Sequence, residues 1–325
     1  MAFSDPVTRD SSSIPEKRGR RRLLADAAEE PLMRRHRLLP EEGAAIPHPL
    51  IAISGASVLP GEAYLSHTPV LDSHVGTQPD LFMRWNRIPL SAVSLDVVVH
   101  LHGFSQEGRA MPLAEKVMRS GLDLSGRARP TLAMLPRGNW IRHYYYDFPA
   151  LLSGGIDRLI DYGLQRLAQA IASASPGAPD GLVVDRFVFS AHSGGGMPAV
   201  DVIAEARRPP DEFYVFDGLY GRDPATGDPM RGLNVIERWL VERLRREPHR
   251  QGALRVIYIE QQTGPFSRAV AELIARHLAS ADPALAASLS HRYRVEVSGV
   301  QHSQIARRCA PELLAAADAQ FDWLR

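Results

Sequence analysis

Apolar positions along the chain follow two rhythms. Residues 95–101 read Leu-Asp-Val-Val-Val-His-Leu, a nearly continuous apolar run suited to a strand covered on both faces. Further strands are predicted over 131–135, 213–216, 254–259 and 293–297, and over the β-rich run from Val183. Between these runs the spacing changes to three and four. Ile156, Leu159, Ile160, Leu164, Leu167 and Ile171 form one stripe along a helix predicted over 156–174. Further helices are predicted near 111–119, 235–246, 268–278 and 311–324. This alternation predicts an α/β fold: a mostly parallel central sheet with helices on both faces. Residues 47–90 carry shorter β-like runs, including 50–53 and 81–85, expected to pair as leading antiparallel strands on a sheet edge.

Charge changes the picture at the start of the chain. Residues 1–45 are mixed in charge, with the basic run Lys17-Arg18-Gly19-Arg20-Arg21-Arg22, and hold few aromatics. Such a stretch buries little apolar area and is expected to be a disordered or marginally ordered arm. Residues 46–325 then hold the folded domain. With 45% hydrophobic residues in a chain of 325, a sizeable core is within reach. The net charge of +1 gives no global pull toward nucleic acid or an acidic membrane. Cys309 is the single cysteine, which excludes an intramolecular disulfide and a cysteine metal cluster. No run of 18 apolar residues predicts a membrane span, and residues 1–13 lack the apolar core of a secretion signal. The cytoplasm is the expected location, with signal-independent export left open.

The chemistry centres on residues 183–200. There a β-rich run meets Ala191-His192-Ser193-Gly194-Gly195-Gly196 and a helix-like segment follows. Small residues around Ser193 permit a tight strand–turn–helix, because a larger Cβ would collide across the turn. The serine then sits at a helix N-terminus, where backbone N–H groups favour developing negative charge. The same turn also reads Gly194-x-Gly196-x-x-Ala199, with Asp217 about 20 residues on, which fits a dinucleotide-binding fingerprint. That fingerprint normally opens a domain, whereas this turn lies behind at least two strand–helix units.

The string Ala-His-Ser-Gly-Gly-Gly resembles the Gly-His-Ser-x-Gly-Gly run of α/β-hydrolases, with Ala191 in place of the usual glycine. His102-Gly103 after the 95–101 run resembles the His-Gly loop of the same superfamily. The resemblance covers roughly residue 81 onward. It implies Ser193 as nucleophile and a histidine after the last strand as base, here His302. It also implies an oxyanion hole formed by the N–H groups of Phe104 and Gly194. The acid lies between Ser193 and His302 in chain order, which leaves Asp217 and Glu260, each closing a strand. Asp217 is preferred because Asp-Gly suits a tight turn, and Asp217-Gly218-Leu219-Tyr220-Gly221 is similar to an Asp-x-Leu-Tyr-Gly stretch of a bacterial branch.

The short connection after the 213–216 strand implies no large lid. Trp140, Tyr144 and Tyr145 follow the 131–135 strand, on the sheet edge where ligands bind, and are candidates for the substrate pocket. His100 and His102 could form a metal pair, but no third ligand stands at suitable spacing. His102 is instead expected to support its loop. The expectation is a cofactor-free, metal-free serine hydrolase acting on a small-molecule ester or related acyl compound. A peptidase or acyltransferase would use the same machinery. A non-catalytic relative, or a dinucleotide binder using the Gly194-Gly195-Gly196 turn, is the alternative of another class.

Overall fold

The computed structural model of the chain describes residues 51–105, 109–141, 144–175, 181–221, 228, 230–247 and 250–324, the side chains of 144–146 excepted. The arm expected over residues 1–45 lies outside them. Everything below belongs to the unit Pro47–Arg325.

Eight strands form one sheet: β1 (Gly61–Leu65), β2 (Leu81–Trp85), β3 (Ser94–Leu101), β4 (Thr131–Pro136), β5 (Val183–His192), β6 (Glu212–Phe216), β7 (Ala253–Tyr258) and β8 (Tyr293–Val297). Their spatial order is β1-β2-β4-β3-β5-β6-β7-β8. β2 is antiparallel to both neighbours, and every other adjacent pair is parallel. That order and those directions define the α/β-hydrolase sheet.

The helices are α1 (Leu113–Ser120), α2 (Gly155–Ala174), α3 (Gly196–Glu205), α4 (Leu233–Leu244), α5 (Gly264–Ala279), α6 (Pro283–Leu289) and α7 (His302–Ala315). Side chains of the strands alternate between two cores, as the two-residue period of a strand requires. Val97, Val99, Phe187, Phe189, Phe213, Val215, Leu254 and Val256 point into a core shared with α2, α3, α4 and α5. Val98, Val188, Tyr214, Phe216 and Ile257 point the other way, against α1 and α7. The near-continuous apolar runs 95–101, 131–135 and 213–216 are therefore strands buried on both faces, whereas the edge strand β8 is partly exposed.

The helices α1 and α7 approach closely. Gly121 caps α1 in the left-handed conformation (φ +67°), and a Cβ there would lie 2.4 Å from the Ala306 carbonyl oxygen of α7. Among the described residues no helix is long and apolar enough to cross a membrane.

Three elements differ from the sequence reading. The last helix spans His302–Ala315 rather than 311–324, with Pro311 in its interior. Inside α7 the missing N–H of Pro311 costs one bond to the Arg307 carbonyl. Helix α6 was not anticipated, although Asp282 accepts from the N–H groups of Ala284 and Leu285 and Pro283 occupies the first turn. Residues 81–85 form an inner strand, while the edge belongs to β1; Ile53–Ser54 joins a separate small sheet with Ser57–Val58 and Ile88–Pro89.

Candidate active site

Strand β5 delivers Ser193 into a turn where its φ is +53°, a conformation rarely held by a residue with a Cβ. The small neighbours make that turn possible, and α3 begins three residues later. Gly103, in the loop after β3, abuts the serine: a Cβ on it would fall 2.7 Å from Ser193 Cβ. Only glycine fits there.

His302 is the first residue of α7, carried to the site by β8. Its Nε2 lies 2.8 Å from Ser193 Oγ and its Nδ1 lies 2.6 Å from an Asp217 oxygen. A carboxylate only accepts, so Nδ1 carries the proton and Nε2 presents its lone pair to the serine hydroxyl. Asp217 follows β6 with φ +47° and donates its own N–H to the Ile257 carbonyl at 2.7 Å. Its second oxygen accepts from the Ile259 N–H at 3.0 Å and from the Thr263 hydroxyl. Burial pushes the Asp217 carboxyl up, but the bonds from His302, Ile259 and Thr263 together hold it below the usual range. Glu260, the other candidate acid, pairs instead with Arg268 and is half exposed.

The flanking histidines are neutral by burial. His192 donates from Nε2 to the His302 carbonyl at 3.0 Å, and the two rings lie 4.9 Å apart. Burial, with the nearby His302 adding to it, takes the His192 pKa down to about 4. His100 bonds Ser190 Oγ through Nδ1 at 2.9 Å, and burial lowers its pKa to about 3. His102 accepts from the Gly138 N–H at Nε2 (2.9 Å), so its Nδ1–H donates to the Gly103 carbonyl (2.7 Å). Both ring nitrogens of His102 are thus used within the protein, and the His100/His102 pair is not disposed as a metal site. Among the described residues no cluster of His, Cys, Asp or Glu could hold a metal.

A cavity of about 280 Å³ opens beside Ser193, lined by Phe104, Arg109, Met111, Lys116, Arg119 and Ser303 besides the histidines. A larger cleft of about 600 Å³ lies near Trp85 and Arg127, but Ser193, His302 and Asp217 take no part in it. Size alone misleads here; the reactive groups mark the smaller cavity. Trp140 sits in a hairpin, Asn139–Ile141 paired with Tyr144–Asp147, whose second strand runs beside the Ser193 turn. The side chains of Tyr144 and Tyr145 lie outside the described residues.

Three contacts were not anticipated. His192 supports the His302 backbone. The Tyr220 hydroxyl stands 3.5 Å from Ser193 Oγ, at the outer limit of a hydrogen bond. Lys116 Nζ donates to the Gly103 carbonyl at 2.6 Å. Cys309 is buried on α7, and burial pushes its thiol up to about 12, out of reach of thiolate chemistry.

No family model and no curated protein sequence matches the chain. Solved structures do match. The Staphylococcus aureus fluorophosphonate-binding serine hydrolase FphF is 8% identical, with a TM-score of 0.44 and coverage of 81% of this chain and 100% of that one. The siderophore hydrolase EstA from Aspergillus nidulans is 12% identical (TM-score 0.40; 82% and 99% covered). An S-formylglutathione hydrolase from Agrobacterium tumefaciens is 14% identical (TM-score 0.37; 82% and 95%). At these scores the likenesses carry no argument, and the α/β-hydrolase architecture rests on the strand order and directions.

Proposed function

We propose that this chain is a serine hydrolase that cleaves an ester or related acyl bond through an acyl-enzyme on Ser193. The observation that carries the reading is the continuous line Ser193–His302–Asp217, with contacts of 2.8 and 2.6 Å, at the carboxyl edge of the sheet.

In this reading Ser193 Oγ attacks the carbonyl carbon while His302 Nε2 takes its proton. Asp217 keeps the proton on Nδ1 and stabilises the imidazolium that forms. The carbonyl oxygen, now an oxyanion, accepts from the N–H groups of Phe104 and Gly194. The C–O bond to the alcohol then breaks, and Nε2–H protonates the departing oxygen. Water repeats the sequence on the acyl-enzyme: it gives a proton to His302, attacks the acyl carbon, and the proton returns to Ser193 Oγ as the acid leaves. No cofactor is called for.

The cavity of about 280 Å³ suits a small acyl or aryl group. The hairpin bearing Trp140, Tyr144 and Tyr145 is proposed as the outer wall of the substrate site. The competing dinucleotide reading needs Asp217 to face a ribose, whereas both Asp217 oxygens are engaged by protein donors.

The test is reaction with a fluorophosphonate probe, followed by peptide mass spectrometry and by hydrolysis of short nitrophenyl esters. The adduct is expected on Ser193, with Ser193→Ala abolishing both labelling and turnover. An unlabelled Ser193 in folded, inactive protein sinks the reading; a rise in melting temperature with NAD would then favour the dinucleotide alternative.

A further inference from the structure

Lys116 occupies a core position of α1. It shares the inward stripe with Leu113, Val117 and Ser120, and only 4% of it is exposed. Removing a lysine from water is costly unless an acceptor receives it. Its acceptor is no carboxylate but the Gly103 carbonyl, at 2.6 Å. The same oxygen accepts from His102 Nδ1–H at 2.7 Å, a donor whose tautomer is fixed by the Gly138 N–H on the other side of the ring. Two donors therefore converge on one carbonyl and use both of its lone pairs.

A peptide is planar and trans, so its C=O and N–H point in opposite directions. Pinning the Gly103 oxygen thus fixes the direction of the Phe104 N–H. Gly103 itself lies against Ser193, so this peptide borders the position where a substrate carbonyl would react. An amide whose oxygen accepts from an ammonium group is also polarised, which strengthens donation from its N–H.

From this geometry we infer that Lys116 is a positioning residue, which locks and polarises the Gly103–Phe104 peptide so that the Phe104 N–H is held ready for the oxyanion. The inference rests on the hydrolase reading above. It also accounts for a lysine kept at a core position: burial, with the Arg119 charge adding to it, brings the Lys116 pKa down to about 7, a destabilising arrangement for the fold alone. Stabilisation of an oxyanion that exists only in the transition state appears in kcat and leaves KM alone.

The test is Lys116→Met, which keeps the stem and removes the donor, assayed on a short nitrophenyl ester. We expect kcat to fall about 10- to 100-fold, less than loss of a whole oxyanion donor. KM should stay within about twofold, and labelling of Ser193 by the fluorophosphonate probe should slow by the same factor as kcat. The melting temperature should not fall. A lower melting temperature with wild-type kcat would mean that Lys116 serves only the fold and would overturn the inference. If Lys116→Met does not fold, Lys116→Gln decides, since it retains a neutral N–H donor: a several-fold drop in kcat at constant KM supports the inference, and wild-type kcat overturns it. Wild-type protein that neither turns over ester nor takes the probe overturns the hydrolase reading and this inference with it.

Discussion

At the amino ends of the central strands, the buried charged groups meet opposite charges. Asp96 of β3 pairs with Arg127 at 2.5 Å, Glu212 of β6 with Arg186 at 2.5 Å, and Arg255 of β7 with Glu296 at 2.5 Å. At the carboxyl ends, buried groups such as His100, His102, His192 and Lys116 are hydrogen-bonded to carbonyls, N–H groups and a hydroxyl. The Asp217 carboxylate, at the same edge, accepts from His302, Thr263 and the Ile259 N–H. Paired burial keeps both partners ionised and makes breaking the pair expensive. At the carboxyl ends burial lowers the pKa of the three histidines and of Lys116, so the imidazoles act as fixed donors and acceptors, and Lys116 is held near its titration point. One edge of the sheet is built on ion pairs, the other largely on neutral hydrogen-bonding groups.

The sharpest way to break this contrast is at Asp217. Asp217→Asn should lower kcat on the order of 10⁴-fold with little change in melting temperature, whereas Glu260→Gln should leave kcat within about twofold. If the ranking reverses in folded proteins, the carboxylate that orients His302 has been misassigned.

Next in size is the opposite edge. Arg255→Met would leave Glu296 with only Arg294 (3.2 Å) and would strip donors from the Ala317 and Ala319 carbonyls. Stability should drop by about 3–5 kcal/mol in denaturant titrations, with kcat of the folded protein unchanged. A large loss of kcat at full stability would erase the division between the two edges.

The histidines give a smaller, graded effect. The folded pKa values of His100 (about 3) and His192 (about 4) lie below the unfolded value of 6.5, so stability is full above pH 6.5. It is lost as pH falls toward 4, because only the unfolded chain takes up these protons, at about 1.4 kcal/mol per pH unit for each residue. Thermal melts from pH 7.5 to 4 should show the decline, shallower in His192→Asn. A melting temperature constant between pH 6.5 and 5 would contradict it. The smallest change expected is Tyr220→Phe, a few-fold in kcat, since a 3.5 Å contact is weak. A hundredfold loss would promote the Tyr220 hydroxyl to a principal donor.

Much of the fold was legible because the inner parallel strands are buried on both faces and cannot hide their apolar runs. The Ser193 turn was legible for a related reason: a left-handed backbone in a crowded place is followed by three glycines and preceded, two residues back, by alanine. His302 stood out after the Gly299 turn. Between Asp217 and Glu260 the Asp-Gly turn gave a preference for Asp217, but both close a strand, and it is the third dimension that brings Asp217 to His302 while Glu260 turns to Arg268. Lys116 left a faint trace, a lysine set between Leu113 and Ser120 on an otherwise inward stripe. The roles of His192 and Tyr220 depend on backbone atoms and hydroxyls more than 25 residues away, which no local pattern encodes. At Pro311 a genuine local preference pointed the wrong way, because packing of α7 on α1 outweighed one missing bond.

That same packing has a consequence for how the rate could be tuned. His302 begins α7 and Lys116 lies within α1, and the two helices meet where Gly121 admits the Ala306 carbonyl. The helix carrying the proposed base and the helix bracing the Gly103 loop therefore share a hinge pin outside the cavity. A methyl group added at position 121 would act as a shim, moving both sides of the reacting carbonyl in one stroke without altering a group that touches it.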